Sequence, residues 1–161
     1  MSDDLLRRAT PADADAIGVL FHRFNSEFDI PTPEAAALAE RLRELLTHDS
    51  GTLHGHGTVA LLGGPGPEGF AILRLRPSLY SNRLEAYLAE LYVVPEQRGR
   101  GLGRALLRAS LELARELGAD RIELGTGEDD RAARALYESH SFSNRENGPD
   151  GPLMYVYERE L

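Results

Sequence analysis

The segment that most constrains the fold of this chain is residues 93–104, where an apolar run stops at Pro95 and three glycines follow at alternate positions. Beyond it, leucines recur at helical spacing as far as Gly118, and this pattern predicts a long amphipathic helix. Glycine allows a backbone N–H group to approach a ligand, because no Cβ stands in the way. The first turn of a helix adds unpaired N–H donors and the positive end of the helix dipole. The segment therefore predicts a site for a phosphate group.

The charges around this segment support the same interpretation. The chain of 161 residues has a formal net charge of -8, yet residues 97–111 contain no acid and include Arg98, Arg100, Arg104 and Arg108. Arginines four residues apart on a solvated helix face repel one another slightly, which disfavours that alternative. An anionic ligand explains the cluster better. The acidic balance of the whole chain argues against nucleic-acid binding, which needs a basic face.

The composition excludes several sites that could otherwise explain a glycine-rich loop. The chain contains no Lys, which excludes a Walker-type phosphate loop, and no Cys, which excludes a thiolate nucleophile and Cys-ligated zinc. The glycine spacing fits a dinucleotide-binding fingerprint in neither frame. His54 and His56 share one face of a predicted strand. With no carboxylate nearby we interpret them as solvated or packed side chains, and we predict no metal site.

The rest of the chain alternates between strand-like and helical patterns, which predicts a mixed α/β sheet in one domain over residues 1–161. No segment has the length and apolar character of a signal peptide or a membrane span. We therefore expect a cytoplasmic protein with no membrane contact, and the Arg-only composition favours a bacterial source. The predicted strands are residues 5–9, 52–62, 70–76, 84–94, 122–124 and 153–159, and the predicted helices begin near residues 11, 34, 102 and 131.

Two motifs in the second half of the chain resemble a known enzyme family. Residues 98–103 read Arg-x-x-Gly-x-Gly after a strand that ends in Val-x-Pro, and residues 133–142 read Ala-Arg-Ala-Leu-Tyr-Glu-Ser-His-Ser-Phe. Together they resemble the pyrophosphate-binding and Leu-Tyr motifs of the GNAT superfamily of acyl-CoA N-acyltransferases. The resemblance covers residues 84–142. It implies an α/β (α+β) fold with a mixed, mostly antiparallel central sheet flanked by helices.

The resemblance also implies roles for individual residues. Tyr137 would protonate the departing thiolate of coenzyme A, a role that suits a phenol with a pKa of ~10. At two positions the chain departs from the family pattern, which has Asn in place of Asp130 and Gly in place of Ser141. The residues implied to bind acetyl-CoA are Leu91, Tyr92 and Val93 through the backbone of a splayed strand, Arg98, Gly99, Arg100, Gly101, Leu102, Gly103 and Arg104 in the loop, and Asp130 and Ala133 in the second motif.

Transfer to an amine also requires a group that removes a proton from the protonated acceptor. Glu90 is the first candidate for this base, because acids just before the Tyr-Val pair lie in the acceptor site of similar family members. Strand alternation places Glu85 on the opposite face from Glu90 unless a bulge intervenes. Glu27, Phe28 and Asp29 fall between two predicted helices, where acids beside an aromatic ring would suit a cationic amine.

The predicted function is therefore an N-acetyltransferase that passes the acetyl group of acetyl-CoA directly to the primary amine of a small, cationic molecule. The absence of Cys supports direct transfer, since no acyl-cysteine can form. Two alternatives stay open: a non-catalytic acyl-CoA-binding sensor, and a transferase acting on a protein N-terminus or lysine. The resemblance also implies a possible homodimer.

Overall fold

The computed structural model describes residues 6–47 and 57–161. The chain divides into two compact units, Met1–Leu124 and Gly125–Leu161. His54 and His56, and the first five residues of the strand predicted at 52–62, lie outside the described residues. The strands of the first unit are β1 (Leu6–Arg8), β2 (Gly57–Gly63), β3 (Gly69–Pro77), β4 (Leu84–Val93) and β5 (Ala119–Glu123), and its helices are α1 (Ala14–Glu27), α2 (Ala35–Thr47) and α3 (Leu102–Glu116).

The five strands form one sheet in the order β1-β2-β3-β4-β5. The first three pairings are antiparallel and the last, between β4 and β5, is parallel. The sheet is therefore mixed and mostly antiparallel, which confirms the predicted fold class. Residues 84–93 follow the prediction closely, because the run of apolar residues is bounded by the turn before Leu84 and by Pro95.

Helices cover both faces of this sheet. The even-numbered residues of β2 and β3, among them Leu62, Phe70 and Ile72, pack with Ile17 and Leu42 of α1 and α2 in one core cluster. The odd-numbered residues face α3, whose Leu106 lies against Gly63 and Gly69. We call the first of these the α1/α2 face. Because β2 and residues 69–73 of β3 are buried on both faces, they read as continuous apolar runs, whereas the end of β3 alternates between buried leucines and exposed arginines.

One irregularity in β4 changes the face of the sheet on which the residues before Ala89 lie. Opposite β3, Ile72 pairs with Glu90 but Leu73 pairs with Leu88, so that Ala89 is an extra residue in β4. Such a bulge shifts the alternation of all residues beyond it. The register then continues through Arg74 and Arg76, which oppose Tyr87 and Glu85.

The second unit contains α4 (Arg131–Glu138) followed by turns. Ser141 has a φ of +65°, in the left-handed region that glycine tolerates best. The backbone thus keeps the turn that the Gly of the family motif would favour, although the residue is Ser. The strand predicted at 153–159 is wrong. The bridge between Arg145 and Leu153 is the only strand-type pairing of this segment among the described residues, and its tyrosines are exposed. An alternating apolar pattern does not by itself form a strand, because the backbone N–H and C=O groups of a strand need a neighbouring strand to pair with.

No helix in the described part of the chain is long and apolar enough to cross a membrane.

Candidate functional site

The glycine-rich loop adopts the backbone that its sequence predicts. Gly99 and Gly101 have φ values of +75° and +90°, which side chains with a Cβ adopt only at a cost. The first backbone bond of α3 runs from Ala105 N–H to the Gly101 carbonyl, at 3.0 Å. The N–H groups of Leu102, Gly103 and Arg104 therefore begin the helix without a helical acceptor, as an anion site requires.

Arg100 and Arg104 are exposed beside these N–H groups. Arg100 donates to the side chain of Gln97 at 3.1 Å, and Arg104 forms no ion pair with any described residue. Leu102 is buried and fixes the start of α3 against the sheet. Two cations next to unpaired backbone donors form a site that suits a pyrophosphate.

Arg98 has a different environment from the other arginines of the loop. Its guanidinium pairs with both carboxylate oxygens of Glu27, at 2.6 and 2.9 Å, and its Nε donates to the Val93 carbonyl at 2.9 Å. The same group lies 5.6 Å from the centre of the Tyr92 ring. Arg98 thus connects the start of the loop to the end of α1. These contacts use three of its five N–H donors, and Glu27 balances its charge, so Arg98 has less to offer a phosphate than Arg100 and Arg104 have.

Tyr92 lies at the centre of this cluster. Its hydroxyl donates to Glu27 Oε2 at 3.1 Å, and its ring stacks on Phe24 at 5.0 Å. The Arg98 guanidinium, together with the Tyr92 hydroxyl, holds the pKa of Glu27 below its usual value. Burial and the bond to Glu27 raise the pKa of the Tyr92 hydroxyl. Glu27, predicted to attract a cationic acceptor, therefore has its charge offset within the protein.

A double-mutant cycle tests the Arg98–Glu27 pair. We expect Arg98→Gln, Glu27→Gln and the double variant to show a coupling of ~1 kcal/mol in urea unfolding at pH 7, modest because the pair is partly exposed. A carboxylate with a lowered pKa stabilises the fold above its unfolded pKa and loses that contribution as pH falls. The coupling should therefore weaken as pH falls below the ordinary range of a glutamate carboxyl. Additive single effects at pH 7 would contradict the pairing.

Phe28 and Asp29 lie where α1 ends. The Phe28 ring is exposed and meets Phe24 edge-on at 5.4 Å, and Asp29 has a φ of +53° in the turn that follows. The carboxylate of Asp29 makes no hydrogen bond or ion pair with the described residues. The structure thus brings Phe28 together with Tyr92 through Phe24, as the sequence could not show.

Glu90 is half-buried on β4, and burial raises the pKa of its carboxyl to about 7, while the charge of Arg74 opposes the shift. A carboxyl with such a pKa exchanges its proton near neutral pH, as a general base must. Because the register pairs Glu90 with Ile72, and Tyr92 with Phe70, both β4 side chains lie on the α1/α2 face.

Glu85 lies on this same face, since it pairs with Arg76, four residues beyond Ile72. The bulge at Ala89 therefore intervenes, and the expectation of opposite faces for Glu85 and Glu90 is wrong. Glu85 accepts from Arg76 Nε at 3.0 Å and from the Ser78 hydroxyl at 3.2 Å. Arg76 also donates to Glu123 at 2.7 Å, so Glu85 belongs to a closed ion-pair network.

The second half of β4 has an open side. Its pairing with β5 runs from Leu84 to Tyr87, and within the described residues of this unit residues 88–93 pair with β3 alone. Leu91, Tyr92 and Val93 fall in this half. Their backbone groups on the open side are those implied to bind the pantetheine arm.

The second unit holds the remaining predicted residues. Asp130 begins α4, and its carboxylate accepts from Ala133 N–H at 2.9 Å, which gives the acid a role as a helix cap. Tyr137 is half-buried, with its ring 5.9 Å from that of Phe142. No group of three metal-ligating side chains is found in the described part of the chain.

Sequence reasoning missed the pairing of Arg98 with Glu27 and the position of Arg74. The first joins residues 71 apart in the chain, and no local pattern shows it. For Arg74 a signal existed, because Ile72, Arg74 and Arg76 alternate with leucines along β3 and so share a face.

Comparison with known proteins agrees with this geometry. The sequence model of the Acetyltransferase (GNAT) family matches residues 20–142. The chain is similar to the uncharacterized N-acetyltransferase YhfO of Bacillus subtilis, with 29% identity over 143 residues that cover 85% of this chain and 88% of the relative. It is also similar to the thialysine N-epsilon-acetyltransferase of Caenorhabditis elegans, with 30% identity over 137 residues, which cover 84% and 80% of the two chains.

A crystal structure gives the same result for the fold. A proposed acetyltransferase from Arthrobacter sp. FB24 superposes on the chain with a TM-score of 0.84 and 43% identity, over 98% of this chain and 96% of that one.

Proposed function

Because this chain belongs to the acetyltransferase (GNAT) family, we propose that it transfers the acetyl group of acetyl-CoA to the primary amine of a small molecule. The observation that carries this proposal is the placement of Glu90. It is a half-buried carboxyl with a pKa raised to about 7, on the same strand as the open backbone of residues 88–93. A base on this strand would act on an amine close to an acetyl group held along the strand.

Acetyl-CoA would supply an activated thioester, and the residues present fit it. The positive-φ glycines leave the N–H groups at the start of α3 accessible, and Arg100 and Arg104 supply charge for the pyrophosphate. In this proposal Gly99, Gly101, Leu102 and Gly103 act through their backbone N–H groups. Arg98 positions the loop through Glu27 and Val93.

Gly101→Ala tests the loop. An alanine at a φ of +90° is strained, so we expect a loss of stability of ~1 kcal/mol and a roughly 10-fold weaker affinity for CoA in calorimetry. Gly118→Ala is a matched control, because Gly118 has a φ of +95° at the other end of α3. This control should be similarly destabilised and bind CoA like the wild type. Equal CoA affinity for Gly101→Ala and the wild type would contradict a role of the loop in binding.

The chemistry follows from the two proposed catalytic residues. The Glu90 carboxylate takes a proton from the acceptor ammonium, directly or through a water, and the neutral amine attacks the thioester carbonyl. The C–N bond forms, and the nitrogen of the adduct then gives up a second proton to water. As the C–S bond breaks, Tyr137 gives its proton to the departing thiolate and takes one back from water, so that the products are a neutral amide and a free thiol. Asp130 and Ala133 start the helix that carries Tyr137, and we propose that they contact the cofactor arm.

The acceptor would lie against the α1/α2 face near Glu90. Phe28 and Asp29 would line its entrance, Glu27 would position the entrance through Arg98, and Glu85 would lie farther along the strand. The relative from Caenorhabditis elegans is named for an N-epsilon amine, which supports a primary amine as the acceptor here.

Three further predictions of the sequence stay predictions: a homodimer, a single domain over residues 1–161 and a cytoplasmic location. The family match runs through residues 20–142, which supports one domain.

Thiol release from acetyl-CoA with a panel of amines, beside calorimetry of CoA binding, tests this function. We expect CoA binding and thiol release with at least one small amine. The alternative of a sensor predicts binding without release. Failure to bind CoA would contradict both functions, and release only with peptides would favour a protein N-terminus or lysine as the acceptor.

A further inference from the structure

The charged residues on the α1/α2 face of the sheet indicate which kind of acceptor would bind there. Pairing places Arg74, Arg76, Glu85 and Glu90 on the α1/α2 face of β3 and β4. In β5, Arg121 pairs with Glu85 and Glu123 pairs with Tyr87, so both residues extend the same face. This set of charged side chains extends along the face from the position proposed for the reacting amine.

Most of these charges are already neutralised within the protein. Arg76 holds both Glu85 and Glu123, and Arg98 holds both oxygens of Glu27. Glu85, Glu123 and Glu27 are therefore already paired with arginines and are less able to attract a polycation. A cationic acceptor without any anionic group finds little net negative charge on this face.

Two cations of this face, Arg121 and Arg74, form no ion pair with the described residues, and Arg74 is the nearer of the two to Glu90. The side chain of Arg74 is exposed. On β3 it lies two residues from Ile72, the residue opposite Glu90, which is ~7 Å along the strand. An unpaired guanidinium at this distance from the proposed base is placed to hold an anionic group of a molecule whose amine meets Glu90.

Beyond Arg74 the same face opens into a cavity of about 400 Å³. Its lining combines Pro77 and the exposed side chains of Leu79 and Tyr80 with charged residues. The charged residues are Arg76, which pairs with both Glu85 and Glu123, and Arg121. This cavity gives room for the rest of a small acceptor and adds no unbalanced acid.

We propose that the acceptor carries a carboxylate as well as its primary amine, as an amino acid does, and that Arg74 binds this carboxylate. The inference rests on the proposed transferase function. It narrows the acceptor from amines in general to amino-carboxylates, and it makes Arg74 a specificity-determining residue.

Lysine and cadaverine form a matched pair for the test, because they share a terminal primary amine on a chain of methylenes and differ by the carboxylate. We expect kcat/KM for lysine to exceed that for cadaverine by at least roughly 10-fold, the usual contribution of a charged hydrogen bond. The assay should be run near pH 9, where Glu90 is ionised, so that any effect of Arg74 on the Glu90 pKa does not enter.

Arg74→Gln should reduce the ratio of the two kcat/KM values to near 1, mainly through the KM for lysine, and Arg74→Lys should restore part of it. Arg115→Gln removes the same charge at the far end of α3 and should leave the ratio unchanged. The ratio reports specificity, so a general loss of activity does not alter it.

Equal or better turnover of cadaverine by the wild type would overturn the inference, and so would an unchanged ratio in Arg74→Gln. Acetylation of amines without a carboxylate, with no activity on lysine, would also overturn it while leaving the transferase function intact. If none of the amines tested supports thiol release, that result would instead contradict the proposed function.

Discussion

Replacing Glu90 with glutamine should lower kcat for acetyl transfer by roughly 100- to 1,000-fold, the usual contribution of a general base. The amide keeps the size of the side chain but cannot accept the proton of the acceptor ammonium. The KM for acetyl-CoA should change little, because the proposed cofactor contacts in residues 88–93 use the backbone. Initial rates at saturating acetyl-CoA measure the effect.

The pH dependence follows from the raised pKa. Wild-type kcat should rise as pH passes about 7, where Glu90 loses its proton, and Glu90→Gln should lack this limb. Folding stability should change in the opposite direction. A carboxyl whose pKa is raised in the folded state binds its proton more tightly there, so stability falls as pH rises from about 4.5 to about 7.

Stability measurements therefore give a second test of Glu90. As pH rises from 5 to 8, the free energy of unfolding of Glu90→Gln, measured in urea, should increase by ~2 kcal/mol relative to that of the wild type. Glu116→Gln, at the exposed end of α3, should show no such gain. A kcat for Glu90→Gln within threefold of the wild-type value would contradict the role of Glu90 as the base.

Tyr137→Phe should lower kcat by roughly 100-fold, because a leaving thiolate that is not protonated departs more slowly and returns more readily. Affinity for CoA, measured by calorimetry, should stay within about twofold of the wild type, since the ring is kept. Tyr157→Phe is a matched control in the same unit, as the Tyr157 side chain is exposed. It should retain full turnover. Unchanged turnover in Tyr137→Phe would show that another group protonates the thiolate.

The main elements of the fold could be predicted because local chemistry determines their ends. Pro95 stops β4, the glycines start α3, and Gly118 ends it with a φ of +95°. The predicted strand at 153–159 shows the limit of such reasoning. A strand also needs a partner, and its apolar alternation does not show whether one is present.

The candidate site could be predicted only in part. Its residue types and its loop follow from the motif at residues 98–103. The bulge at Ala89 depends on the register with β3, so strand alternation alone placed Glu85 on the wrong face. The environment of Arg98 depends on Glu27 at the end of another helix, and the pKa of Glu90 depends on burial by the folded sheet. These properties arise from packing between distant segments.

The most direct test of acetyl transfer is an initial-rate study in which acetyl-CoA and an amine acceptor are both varied, with the acetylated amine identified by mass. Direct transfer in a ternary complex predicts intersecting reciprocal plots and one acetylated amine per free thiol. Parallel plots would indicate an acetylated protein intermediate. That result, or thiol release without an acetylated amine, would contradict direct transfer to an amine beside Glu90.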